Sequence, residues 1–127
     1  MSLLSGLTTN IKAMSHSITT DEAAIMTRRY RKYREIILSP AEKGRDILPI
    51  SETFDKKSIE RLLSDQHCTA LRIYYGMDEE RKVHAILVGS NANDEDILPQ
   101  DGGENQLIER GVRCPPQCPE PSELNEP

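Results

Sequence analysis

Between Cys68 and Gly89 the chain reads C-T-A-L-R-I-Y-Y-G-M-D-E-E-R-K-V-H-A-I-L-V-G, and this run narrows the fold more than any other stretch. Leu71, Ile73 and Tyr75 alternate with Arg72 and Tyr74, the period-two pattern of a half-buried strand. Gly76 to Arg81 interrupts the pattern with a glycine and four charges, so the chain turns there. Val83 to Val88 is apolar on both faces apart from His84, which predicts a strand covered on both sides and central in its sheet. The expectation is a hairpin of strands 69–75 and 82–88.

Helices are announced by their ends. Thr19-Thr20-Asp21-Glu22 is a capping box, in which the Thr19 hydroxyl accepts from the Glu22 amide and the Glu22 carboxylate accepts from the Thr19 amide. The helix it opens is predicted over 20–38, ending at Ser39-Pro40 because proline disfavours helical geometry in the residue before it. Ala23, Met26, Tyr30, Tyr33 and Ile37 recur at spacings of three and four and predict a core-facing stripe. Asp55 is an N-cap for a second helix over 56–64, with Phe54 and Ile59 placed as a hydrophobic staple and Ile59, Leu62 and Leu63 as its buried face. Ile47, Leu48 and Ile50 suggest a short edge segment interrupted by Pro49.

With 36% hydrophobic residues, one Phe and no Trp, the core is expected to be modest. We read residues 1–17 as a flexible N-terminal extension, with Met14 as an alternative start, 18–113 as a single α+β domain, and 114–127 as an extended, mobile Pro/Glu-rich tail. Ser90 to Asp96 reads as a polar loop and Pro99 to Asn105 as a loose turn. No apolar run approaches the roughly 20 residues that span a bilayer. Three cysteines are not the dense framework of a small secreted domain, so a cytoplasmic location is the default.

Cys114-Pro-Pro-Gln-Cys118 is the most distinctive local motif. Its cysteine spacing is admissible for a metal site, but a tetrahedral zinc would need Cys68 with His67 or His84 to complete the set. A labile disulfide and plain structural thiols are the competing readings, and no cofactor is the expectation. Cys68 as a nucleophile would need a base, yet His67, its neighbour along a strand, points to the opposite face. Asn91 to Asp96 approaches a calcium-loop pattern but lacks its glycine and its terminal glutamate.

Arg28, Arg29, Arg31, Lys32 and Arg34 interleave with tyrosines on the first helix, a pattern that can serve nucleic acid. Residues 20–45 carry seven basic and four acidic side chains, whereas the rest of the chain after 45 carries eight basic and seventeen acidic. That asymmetry, within a net charge of −5, favours charge complementarity inside the protein or with a partner over nucleic-acid binding.

The order Ile18-Thr-Thr-Asp-Glu-Ala, Phe54 before a short helix, C-T-A-L-R-I-Y-Y-G-M-D, H-A-I-L-V-G and C-P-P-Q-C resembles a family of small uncharacterised bacterial proteins over roughly Ile18 to Cys118. The resemblance implies no activity, and the acidic N-D-E-D loop departs from the Asn/Asp-Gly turn of that pattern.

Taken together, the expected fold is α+β, a small mostly antiparallel sheet centred on the 69–75/82–88 hairpin with helices 20–38 and 56–64 packed on one face. The expected function is that of a non-enzymatic accessory or interaction module, with the five basic helix residues as interaction candidates. Its partner would be a protein or a second copy, not nucleic acid or a membrane. The alternative is a small thiol-dependent redox or metal-binding protein using Cys68, Cys114 and Cys118.

Overall fold

The computed structural model describes residues 15–99 and 107–126. The expected N-terminal extension up to residue 14 and all but Pro99 of the expected loose turn over 99–105 lie outside the described residues.

Helix α1 (Thr20–Tyr33) opens on the predicted capping box, the Thr19 hydroxyl accepting from the Glu22 amide at 3.0 Å. Regular helix stops earlier than residue 38, and the chain continues as hydrogen-bonded turns in which the Ile37 amide still reaches the Tyr33 carbonyl at 3.2 Å. Strand β1 (Ser51–Thr53) follows the Ile47–Ile50 segment. Helix α2 (Lys56–Leu63) starts at Asp55, whose side chain accepts from the Ser58 amide at 2.9 Å. The hairpin is β2 (Ala70–Met77) and β3 (Val83–Ser90), followed by β4 (Leu107–Ile108) and β5 (Val112–Cys114). Two antiparallel sheets result, one with order β2-β3-β4 and one pairing β1 with β5. The fold is α+β, with β3 the middle strand of its sheet, as the apolar run 83–88 predicts. Among the described residues no helix is long and apolar enough to cross a membrane.

The chain divides into two compact units. The first contains Phe54–Gly76 and the described part of Ala85–Gly111. Its core is Leu62 of α2, Leu87 of β3 and Ile108 of β4, with Phe54, Ile59 and Ala85 packed against them. The staple pair Phe54 and Ile59 therefore meets on one cluster. Gly111 is a close approach: a Cβ there would meet the Phe54 ring at 2.8 to 3.1 Å. Leu63 departs from its expected buried face and is exposed.

Strand β2 departs from its predicted faces without reversing them, since Tyr74 is exposed as well. Leu71, Ile73 and Tyr75 are exposed while Arg72 is half-buried, because Arg72 is drawn against the carboxylates of Asp94 and Asp96 in the polar loop. Two buried-ready anions outweigh apolar alternation on a strand at the edge of a three-stranded sheet.

The second unit contains Ser17–Thr53, Met77–His84 and the described part of Val112–Pro127. Here α1 departs from its predicted stripe. Ala24 and Arg34 are buried and Ala23, Thr27 and Arg31 half-buried, while Met26, Tyr33 and Ile37 are exposed. At 3.6 residues per turn, the buried face is rotated by about a quarter turn from the apolar stripe. Ion pairing and hydrogen bonding hold that face inward: Arg34 meets Glu35 at 3.0 Å and Asp46 at 3.6 Å, and Arg31 donates to the carbonyls of Leu124, at 2.6 Å, and Glu126. The expected mobile tail is thus tied to the helix by Arg31, and its first residue, Cys114, lies inside β5.

Candidate functional site

Because β5 pairs with β1 in the register Ser51↔Cys114, Glu52↔Arg113 and Thr53↔Val112, Arg113 is held at the centre of the second unit. Its guanidinium donates to the carbonyl oxygens of Asp46, at 2.7 Å, and Val83. The Val83 amide in turn donates to the Ile47 carbonyl at 2.8 Å. Asp46 has φ +56°, a left-handed conformation that aspartate tolerates better than most side chains. Tyr30 donates to the Pro49 carbonyl at 2.6 Å, and burial pushes its hydroxyl pKa up despite the neighbouring Arg34 and Arg113 charges. A core poor in aromatics is thereby braced by guanidinium forks, each satisfying several acceptors at once.

Toward the hairpin turn of the same unit, Glu42 accepts from Arg45 at 3.1 Å and from Arg81 at 2.6 Å, and Arg45 donates to the Glu80 carbonyl at 3.0 Å. His84 lies beside two carboxylates, with Nε2 2.7 Å from Asp78 and Nδ1 3.9 Å from Glu52, whose side chain is nearly buried. Asp78 also accepts from the amides of Glu80 and Lys82, at 2.8 and 3.0 Å. Its carboxyl is held below the usual range, chiefly by the His84 hydrogen bond and then by the Lys82 amide. A carboxylate that fixes one imidazole nitrogen orients the other, which is how such pairs serve metals and proton transfer. Here the pair also closes the turn.

In the first unit, Arg72 bridges Asp94 and Asp96, and Tyr74 donates to Asp96 at 2.6 Å. Those bonds from Tyr74 and Arg72 lower the Asp96 carboxyl pKa, while the same bond raises that of Tyr74. The Asn91 side chain accepts from the amides of Asn93 and Glu95, and Asp94 takes φ +63°. The segment that approaches a calcium pattern is thus a side-chain-capped turn with two of its carboxylates committed to arginine.

The five residues named as weak metal candidates divide between the units. His67 and Cys68 belong to the first, whereas His84, Cys114 and Cys118 belong to the second. Cys68 is half-buried, donates to the Ala70 carbonyl at 3.3 Å and fills the space beside Gly89, while His67 is exposed. Cys114 and Cys118 are joined as a disulfide, so neither offers a thiolate in this state. The peptide bonds Cys114–Pro115 and Pro115–Pro116 are both cis.

Of the five basic interaction candidates, Arg28, Arg29 and Lys32 are exposed, whereas Arg31 and Arg34 are engaged inside their own unit as described above. Lys32 lies 5.4 Å from the centre of the Tyr33 ring. Sequence reasoning missed Glu42, Asp46, Glu52, Asp78 and Arg81. The legible signal was the turn itself, since Asp78 and His84 flank its charged residues. Neither a protein-family model, nor a curated protein, nor a solved structure matches this chain.

Proposed function

We propose that the protein is a non-enzymatic interaction module that binds a partner protein through the outward face of α1 and the turns after it. The observation that carries this reading is the displaced apolar stripe. Ile25 and Met26 of α1 and Ile36 and Ile37 of the turns after it are 50, 60, 61 and 70% exposed, and Arg29 and Lys32, between them in the chain, are exposed too. Scattered exposed apolar residues need no explanation, but several large ones within one short stretch of chain mark an interaction surface.

The cations among these residues favour a partner whose apolar patch is edged by carboxylates. A second copy docked about a two-fold axis would set one patch carrying Arg29 and Lys32 against another carrying the same cations, so a different chain fits better. The test compares the wild-type chain with a Met26→Glu/Ile37→Glu variant in affinity capture, with mass-spectrometric stoichiometry and light scattering. One stoichiometric partner that is lost with the variant, at unchanged melting temperature, supports the reading. Equal recovery by both forms overturns it, and a dimer dissolved by the variant replaces the foreign partner with a second copy.

A further inference from the structure

The two cysteines of the Cys114–Cys118 disulfide differ in exposure. Cys114 is 2% exposed, lies opposite Ser51 in β5, and its carbonyl accepts from the Ile50 amide at 2.8 Å. Cys118 is exposed, and it shares with the buried Cys114 an open groove that is also lined by Ile50, Pro119, Pro121 and Asn125.

The bond joins residues only four apart, so it restrains little of the unfolded chain compared with a crosslink closing a long loop. The turn it spans is also held without it, by the Gln117 amide donating to the Arg113 carbonyl at 3.0 Å. Strand pairing fixes Cys114 in either redox state, because backbone bonds to β1 hold it there. These features suit a bond that opens and closes in place rather than a staple.

We propose that Cys114 and Cys118 form a thiol–disulfide exchange site for a dithiol protein, with Cys118 the exchanging sulfur and Cys114 the resolving one. This inference does not rest on the α1 docking face. A thiolate of the partner attacks the Cys118 sulfur from the groove side, forming a mixed disulfide and expelling Cys114 as a thiolate that takes a proton from solvent. The partner's second thiolate then attacks its own sulfur in the mixed disulfide and releases Cys118, which is protonated in turn. Two electrons and two protons pass from the partner dithiol to the pair, and the reverse sequence oxidises a partner. Burial of Cys114 directs the incoming thiolate to Cys118, since exchange rates depend on which sulfur can be reached.

The experiment uses the full chain with Cys68→Ser, so that the only remaining thiol chemistry is that of the pair, and reduced glutathione as the probe. Mass spectrometry is expected to show the pair opening in millimolar glutathione and closing again in glutathione disulfide, with the circular dichroism spectrum unchanged. With glutathione disulfide as the probe, the Cys114→Ser chain is expected to hold glutathione on Cys118. The Cys118→Ser chain should react at Cys114 slower by about tenfold or more. A pair that stays oxidised in excess reduced glutathione overturns the proposal, because the bond is then a staple. Equal rates at the two cysteines overturn it as well. Loss of the spectrum in the reduced wild-type pair would do the same, and that measurement needs neither single-cysteine variant to fold.

Discussion

The carbonyl oxygen of Asp46 accepts from Arg113 at 2.7 Å while the carboxylate of the same residue faces Arg34 at 3.6 Å. One aspartate thus receives two guanidinium groups, one from the C-cap of α1 and one from β5. The second unit is organised by arginine, and its stability should respond accordingly.

Replacing Arg34 by Ala removes a side chain that is 10% exposed together with its contacts to Glu35 and Asp46. Those two carboxylates reach water, so they are not stranded, and the cost falls below that of breaking a fully buried pair. We expect about 1–3 kcal/mol by urea denaturation. Arg34→Lys should recover less than half, because an ammonium cannot span both acceptors as a fork does.

Gly111→Ala should be costly in the first unit, since the new methyl meets the Phe54 ring at 2.8 to 3.1 Å. An overpacked core of this kind loses about 1–3 kcal/mol. Phe54→Leu in the same chain should return part of it, and a double-mutant cycle measures the coupling. Additive losses would show that the ring moves aside freely.

At the start of α1, Thr19→Ala removes the hydroxyl that accepts from the Glu22 amide, with an expected loss of about 0.5–2 kcal/mol. Glu22→Gln keeps an acceptor for the Thr19 amide and should cost much less. Chemical denaturation followed by circular dichroism separates the two.

Acid should destabilise the fold through three carboxyls whose pKa values are lowered in the folded chain. Ser58 lowers that of Asp55, His84 that of Asp78, and Tyr74 with Arg72 that of Asp96. A carboxyl with a depressed folded pKa contributes stability that is fully present above its unfolded pKa of about 4 and is lost as pH falls through the folded value. The melting temperature should therefore hold steady above about pH 5 on account of these groups and decline below about pH 4. Asp96→Asn should flatten part of that decline, and an unchanged slope would remove Asp96 from the set.

The elements themselves were legible because their signals are local. A capping box, an N-cap aspartate and a glycine-bounded alternating run fixed both helix starts and the hairpin within about two residues. The facing of α1 and β2 was not legible. In both, spacing points the apolar side chains inward, and in both, arginines with distant acceptors take the inner face instead. Arg72 finds Asp94 and Asp96, and Arg34 finds Asp46, partners that no periodicity connects. The disulfide fell among the readings of C-P-P-Q-C, but the contrast between a sheltered Cys114 and an open Cys118 depends on Cys114 pairing opposite Ser51.

The pairing of β1 with β5 has a consequence for synthesis of the chain. Among the described residues β1 has no other strand partner, and roughly 60 residues separate the two, or about 3–12 s of translation at ~5–20 residues per second. Throughout that interval Ser51–Thr53 emerges from the ribosome without its mate, and no stretch of nascent chain ending before residue 112 can complete the second unit. Polypeptides released before residue 112 consequently lack that unit's sheet, which leaves them open to chaperones and proteases.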